Sequence, residues 1–146
     1  LVTEGGHLYR LLQCGTCHGP AGRGDGSAAA ALKDDWGQPI KAYNFTTLGL
    51  FKCGNDDQDL FRTIQTGLSG TPMPSYKDVL LFSGDSFPAG SLSARGTPDE
   101  VRALEQYLAA QPKGAAVAAL SPEATRDLEA RRTWALVRYV RSLLTR

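Results

Sequence analysis

The sequence lacks any run of about 18 apolar residues, which excludes a membrane-spanning helix within it. It also lacks an excess of charge of either sign. Lys and Arg number 16 against 15 Asp and Glu, so nothing favours nucleic acid or a membrane surface as a partner. No signal peptide is recognisable and the chain begins with Leu1, so we expect a mature or excised form, with a removed signal or an upstream anchor left open.

Bulky side chains are also scarce. Aromatic residues make up 8% of the 146 residues, while glycine and alanine are abundant. The chain is long enough for one domain, but its side chains alone would build only a modest core. Methionine occurs once, histidine twice and cysteine three times, so each of these chemistry-bearing residues can be weighed individually.

Two of the three cysteines stand with one of the two histidines in Cys14-Gly15-Thr16-Cys17-His18. This spacing is typical of covalent haem attachment. Each thiol adds to one vinyl group of the porphyrin, and the two-residue gap on one helical turn brings both sulfurs to the same edge of the ring. The histidine that follows projects toward the iron, where imidazole is a good ligand. A buried macrocycle would also supply much of the apolar contact that the small core lacks.

Two other interpretations of these cysteines stay open on spacing alone. Cys-x-x-Cys also occurs in redox dithiols, but such a motif normally follows a buried strand, and a helical stripe of leucines precedes this one. A structural zinc site could use Cys14, Cys17, His18 and Cys53. It would require Cys17 and the adjacent His18 to turn toward one metal.

The only methionine of the chain lies in Gly70-Thr71-Pro72-Met73-Pro74. A lone methionine usually fills a core, but here two prolines stiffen a polar loop around it. Such a loop is suited to aiming a thioether at a metal rather than to filling space. We therefore predict Met73 as a second iron ligand, which would leave the zinc interpretation without a role for this loop.

With these two motifs, the chain resembles bacterial monohaem class I c-type cytochromes over residues 3–76 and 121–145. The segment from Trp134 to Leu143 is similar to their terminal helix. The resemblance implies an all-α cytochrome c fold, with three core helices around one covalently bound haem. It implies one domain over 1–146, with an insertion at about 77–120.

The resemblance also implies a function and a ligand set. Haem c would be attached through Cys14 and Cys17, with His18 and Met73 as axial ligands. The protein would carry single electrons between redox protein partners in respiratory electron transport, without being an enzyme itself. Haem attachment of this kind implies a periplasmic or otherwise extracytoplasmic location. Partners would approach the ring edge near the cysteines, where Gly15, Ala21 and Gly22 leave room.

Local sequence signals predict five helices. They cover residues 3–17, 27–32, 56–66, 98–110 and the segment from 121 onwards, with Thr3, Ser27, Asp56, Thr97 and Ser121 as N-caps. Gly5 and Gly6 weaken the first helix and indicate close approach by another element. In the family, the first and last helices cross at such a glycine, and Gly6 with Tyr9 matches that pattern. Residues 112–120 are expected to form a connector.

Several side chains carry more specific expectations. His7 should be exposed or packed between helices, and Cys53 should be a buried small hydrophobe. The family pattern places the carbonyl that accepts from the haem histidine in the loop around Pro20 and Gly22. The residues considered as donors to haem propionates are Trp36, Tyr43 and Asn44. The arginines considered as a basic docking patch are Arg131, Arg132, Arg138 and Arg141, with a solvated face as the default.

Two functions of other classes remain open. The chain could be a permanently docked electron-transfer subunit or domain of a larger oxidoreductase complex, held through residues 77–121. It could also be a haem enzyme or gas sensor, if Met73 were easily displaced from the iron.

Overall fold

A computed structural model of the protein describes residues 1–144, and this part of the chain contains helices, turns and no β-strand. The α-helices are α1 (Val2–Leu11), α2 (Gly15–His18), α3 (Asp57–Thr66), α4 (Pro98–Ala109), α5 (Gly114–Ala118) and α6 (Pro122–Leu143). Two 3-10 turns span Ala29–Ala31 and Asp78–Leu81. Within the described residues, no helix is long and apolar enough to cross a membrane. The all-α prediction is confirmed, while residue 145 of the predicted terminal segment lies outside the described residues.

The crossing of α1 and α6 is the centre of the fold. Gly5 makes the closest approach, because a Cβ atom there would overlap the backbone of Ala135. A Cβ atom on Gly6 would lie 3.2 Å from Cε2 of Tyr139, and the rings of Tyr9 and Tyr139 pack with centroids 5.2 Å apart. The predicted crossing is therefore confirmed, with Gly5 rather than Gly6 at the point of contact.

The first helix is shorter than predicted. It begins at Val2 after Leu1, which provides no side-chain cap, so Thr3 is not the N-cap. It ends at Leu11, and Gln13 adopts a left-handed conformation with φ 57° before α2 begins at Gly15. This turn separates the amphipathic α1 from the cysteine motif, which the sequence pattern had joined into one helix spanning 3–17.

Three other helix starts follow their predicted caps. The Asp56 side chain accepts from the Asp59 N–H at 2.7 Å, and Thr97 forms a capping box with Glu100. The Ser121 side chain accepts from the N–H of Ala124. These caps were predictable because their partners lie three residues away. Ser27 does not cap a helix, and only the short turn Ala29–Ala31 forms where residues 27–32 were predicted to be helical.

The segment between the Met73 loop and α6 packs against α6 through a buried arginine. Arg132 is fully buried, and its Nη1 donates to the carbonyl oxygens of Leu80 (2.6 Å) and Phe82 (2.9 Å). Its Nη2 donates to Gln111 Oε1 at 3.0 Å, and its guanidinium lies 3.9 Å from the centre of the Phe82 ring. One arginine thus joins residues 80–82 to Gln111, all within the segment that the sequence predicts to be an insertion. The connector predicted over 112–120 contains the short helix α5.

The predicted basic patch on the last helix does not form. Arg132 is buried, and Arg138 and Arg141 both pair with Asp57, at 3.0 and 2.8 Å, which ties α6 to the start of α3. Arg131 lies 3.5 Å from Glu4 on α1. The alternative expectation, that these arginines are exposed to solvent, is also wrong for Arg132. Its burial depends on elements from distant parts of the chain, which pack against α6.

His7 packs between helices, as predicted. Its ring stacks on that of Tyr107 in α4, with centroids 5.1 Å apart. Burial lowers the pKa of His7, and the nearby Arg10 lowers it further. The stacking therefore joins α1 to α4, and the lowered pKa favours the neutral form of the His7 imidazole.

Candidate functional site

The four predicted site residues line one cavity of about 210 Å³, which we call the central cavity. Cys14, Cys17 and His18 reach it from the attachment turn (residues 14–18), and Met73 reaches it from the loop after α3. Most of the remaining wall is apolar. It includes Leu32, Ile40, Phe45, Leu60, Ile64, Leu68, Val137 and Val140.

His18 is oriented by contacts on two sides. Its Nδ1 lies 3.1 Å from the carbonyl oxygen of Tyr43, and its ring stacks on Phe45 with centroids 4.5 Å apart. Because a carbonyl oxygen can only accept, Nδ1 carries the proton and Nε2 keeps its lone pair. Burial lowers the pKa of His18, so the imidazole favours the neutral form that ligates metals. An oriented neutral imidazole is the form that haem iron requires.

The carbonyl that orients His18 is not in the loop where it was predicted. The Gly22 carbonyl instead accepts from the N–H of Phe45 at 2.7 Å, which brings Tyr43 next to the imidazole. The Tyr9 hydroxyl donates to the Gly19 carbonyl at 2.7 Å and anchors the start of the loop to α1. The chain between 20 and 45 therefore folds back on the attachment turn, a long-range arrangement that no local pattern signals.

Cys14 and Cys17 are free, half-buried thiols. Burial raises the pKa of the Cys14 thiol to about 12, whereas redox dithiols of the thioredoxin kind have lowered values. Within residues 1–144, no group of three or more His, Cys, Asp or Glu side chains is arranged to hold a metal ion. The raised pKa of Cys14 thus argues against a redox dithiol, and the arrangement of the described side chains argues against a zinc site.

The loop that carries Met73 is held rigidly. Its main chain returns to Gly67, since the N–H of Leu68 donates to the Met73 carbonyl at 3.1 Å. The Thr71 hydroxyl donates to the Leu68 carbonyl at 2.8 Å and accepts from the Met73 N–H at 3.3 Å. Gly67 has φ 70°, and a Cβ atom there would lie 2.7 Å from the Met73 carbonyl oxygen. Only glycine fits this turn, which fixes where the thioether points.

The polar part of the wall differs from the prediction. Tyr43 lines the central cavity, but Trp36 and Asn44 do not. The Trp36 side chain is 79% exposed, and Asn44 Oδ1 accepts from the Thr46 N–H at 2.9 Å. Sequence reasoning missed Lys41 and Lys52, which line the cavity without an acidic residue among its described lining residues. The signal was present, since each lysine lies within two residues of an aromatic residue of the wall, Tyr43 or Phe51.

Cys53 is exposed, so the prediction of a buried hydrophobe is wrong. Cys53 lines the central cavity and lies two residues after Phe51. The ring of Phe51 stacks on that of Tyr43, with centroids 4.1 Å apart. The aromatic pair anchors this loop, and the Cys53 thiol stays exposed to solvent at the cavity wall.

These residues fit a covalently attached haem. Two thiols and an imidazole from one turn, and a thioether from a separate rigid loop, face the same apolar cavity. That set matches the attachment and axial ligands of haem c, with Nδ1 of the histidine already hydrogen-bonded. The class of protein that this fold and site define is a helical haem-binding protein of the c type.

Comparison with known proteins agrees. The family model for cytochrome c matches residues 2–112, and the chain belongs to the cytochrome c family. The family implies covalently bound haem c and supports a role in electron transfer. The match ends before α6, although α6 makes the crossing with α1. A search of curated proteins found no match.

A solved structure extends the comparison to α6. The chain is 32% identical, with a TM-score of 0.58, to a chain of the reducing HAO-like protein complex of Kuenenia stuttgartiensis. The similarity covers 97% of this chain and 43% of that one. Our chain therefore corresponds to less than half the length of its structural neighbour.

Proposed function

We propose that this protein is a single-haem electron carrier, with haem c attached through Cys14 and Cys17 and with His18 and Met73 as axial ligands. The observation that carries the proposal is the meeting of these four side chains in one apolar cavity. When bound, the haem would supply one-electron exchange between ferric and ferrous iron. Two axial ligands from the protein would leave no open position for a substrate.

The surrounding residues have separate roles in this proposal. The Tyr43 carbonyl holds His18 in the tautomer that presents Nε2, and Phe45 restricts rotation of its ring. As a ligand, the Met73 thioether would favour ferrous iron and raise the potential, as would the apolar wall. Lys41 and Lys52 place positive charge on the same cavity, where they suit the carboxylates of a porphyrin.

The structurally similar chain from the HAO-like protein complex supports a more specific proposal. The chain that ours resembles belongs to a protein complex, and it is more than twice as long as the matched part. We propose that this protein also works beside other redox proteins, either as a shuttle or as an electron-transfer subunit. Because haem attachment of this kind occurs outside the cytoplasm, we propose a periplasmic or otherwise extracytoplasmic site of action.

Absorption spectra of the holoprotein test the proposal. We expect a low-spin c-type spectrum in both oxidation states, with no change on addition of carbon monoxide to the reduced protein. Mass spectrometry under denaturing conditions should show one haem retained, and Cys14→Ser together with Cys17→Ser should abolish that retention. A spectrum that shifts with carbon monoxide would instead support the enzyme or sensor interpretation.

A further inference from the structure

A second cavity, of about 400 Å³, borders the attachment turn. Gly15 and Thr16 line it from the turn, while Ala94, Arg95 and Gly96 line it from the loop that precedes α4. Gln13 lines both this cavity and the central cavity, so the two adjoin at the residue before Cys14. The four proposed haem-binding side chains take no part in the second cavity, which therefore needs an explanation of its own.

Three charged residues line this cavity, and two of them neutralise each other. Arg10 Nη2 lies 2.5 Å from Glu100 Oε1, while Glu100 Oε2 accepts from the N–H of Thr97 at 2.9 Å. Both carboxylate oxygens are thus engaged by donors of the protein itself. The charge left over belongs to Arg95.

Arg95 is held in position without a counter-charge. Its Nη1 donates to the Leu11 carbonyl and its Nε to the Ser91 carbonyl at 3.3 Å, while its guanidinium lies 5.3 Å from the centre of the Phe87 ring. Within residues 1–144, no carboxylate lies within ion-pair distance of it, and its Nη2 donates no hydrogen bond. A fixed guanidinium with unused donors is suited to binding a carboxylate.

We propose that the second cavity is a docking recess for an acidic redox partner, with Arg95 pairing with a carboxylate side chain of that partner. The inference rests on the proposed electron-transfer function, because the recess would serve that function by bringing a redox partner to the attachment turn. Gly15 has no side chain to hold the partner away, and Thr16, Ser27 and Gln13 offer exposed polar groups around the recess.

The effect should be mainly electrostatic. A single uncompensated cation beside the attachment turn should steer an acidic partner and raise the association rate, and its contribution should fall as salt screens it. Removing the charge of Arg95 should therefore weaken binding by about fivefold at low ionic strength, as expected for one partly exposed ion pair.

The test is a titration of the reduced, nitrogen-15-labelled holoprotein followed by nuclear magnetic resonance. The probe is a tetraglutamate peptide, and succinate serves as the free carboxylate. We expect the peptide to shift the amide signals of Gly15, Thr16 and Gly96. Arg95→Gln should weaken this binding about fivefold, Arg95→Lys should largely restore it, and Arg126→Gln, which removes an exposed charge elsewhere, should leave it unchanged.

Three results would overturn the proposal. The first is the absence of shifts at the three amides, and the second is peptide binding that keeps its full affinity in Arg95→Gln. The third is succinate binding as tight as that of the peptide, which would indicate a site for small carboxylates. Unshifted α6 signals in Arg95→Gln would establish that this variant folds. The titration needs no electron transfer, and the absorption spectrum of the same sample reports iron ligation, so failure of the recess and failure of the proposed function are distinguishable.

Discussion

Gly5 lies so close to Ala135 that a Cβ atom at position 5 would overlap the carbonyl oxygen of that residue. One residue later, a Cβ atom at Gly6 would meet side chains and no backbone, with Cε2 of Tyr139 at 3.2 Å and Nη1 of Arg10 at 3.6 Å. The two glycines are adjacent in sequence, but only the first is required by backbone contact. The crossing of α1 and α6 therefore depends on one position.

Gly5→Ala should lower the free energy of unfolding by about 3 kcal/mol, because the two helices must separate to admit the methyl group. Gly6→Ala should change it by less than about 1 kcal/mol, since alanine's higher helix propensity offsets the tighter contact with a movable side chain. Equilibrium unfolding of the holoprotein in urea would measure both. Equal losses in the two variants would show that the crossing is not centred on Gly5.

Arg132→Met should destabilise the packing of residues 80–111 on α6 by about 3 kcal/mol, because it leaves the Leu80 and Phe82 carbonyl oxygens without their donor. Arg126→Met, in the exposed first half of the same helix, should cost less than about 0.5 kcal/mol. Hydrogen exchange should show lost protection at Gly84, whose N–H donates to the Pro112 carbonyl at 2.8 Å. If Arg132→Met were as stable as Arg126→Met, the arginine would not hold residues 80–111 against α6.

His7 should make stability depend on pH near neutrality. Its pKa in the folded protein lies below that in the unfolded chain, so between these values the unfolded state binds more protons. The free energy of unfolding should therefore fall as the pH drops below about 6.5 and level off below the folded-state pKa. His7→Gln should remove this component, as seen by comparing unfolding curves at several pH values. An identical pH dependence in both proteins would contradict the burial of His7 against Tyr107.

Gly67→Ala should loosen Met73, the proposed axial ligand. Its Cβ atom would press on the Met73 carbonyl, and the reduced holoprotein should then bind carbon monoxide. Gly90→Ala is the matched control, because Gly90 has φ 84° but no atom near its Cβ position, so it carries the backbone strain alone. Carbon monoxide difference spectra would separate the two. If neither variant bound the gas, the turn at Gly67 would not control Met73.

The sequence predicts those parts of the molecule that depend on near neighbours. The Cys14–His18 motif and the rigid loop around Met73 were both identifiable by spacing and by flanking prolines. The caps at Asp56, Thr97 and Ser121 were identifiable because each partner lies three residues on. The approach of two helices at a glycine pair was also foreseeable.

What could not be predicted depends on distant contacts. The sequence pattern predicts a surface position for Arg132, whereas in the structure it is buried and donates hydrogen bonds to Leu80, Phe82 and Gln111. The carbonyl of Tyr43, 25 residues after His18, has no side-chain signature. The exposure of Cys53 follows from the stacking of Phe51 on Tyr43, which a local pattern does not reveal.

The midpoint potential of Met73→His tests the central claim most directly. With Met73 as an axial ligand, replacement by imidazole should lower the potential by on the order of 0.1 V or more, since a thioether favours ferrous iron and imidazole does not. Potentiometric titration of the wild-type and variant holoproteins gives this difference. A clear drop is the result that this account predicts, and an unchanged potential would contradict the ligation of iron by Met73.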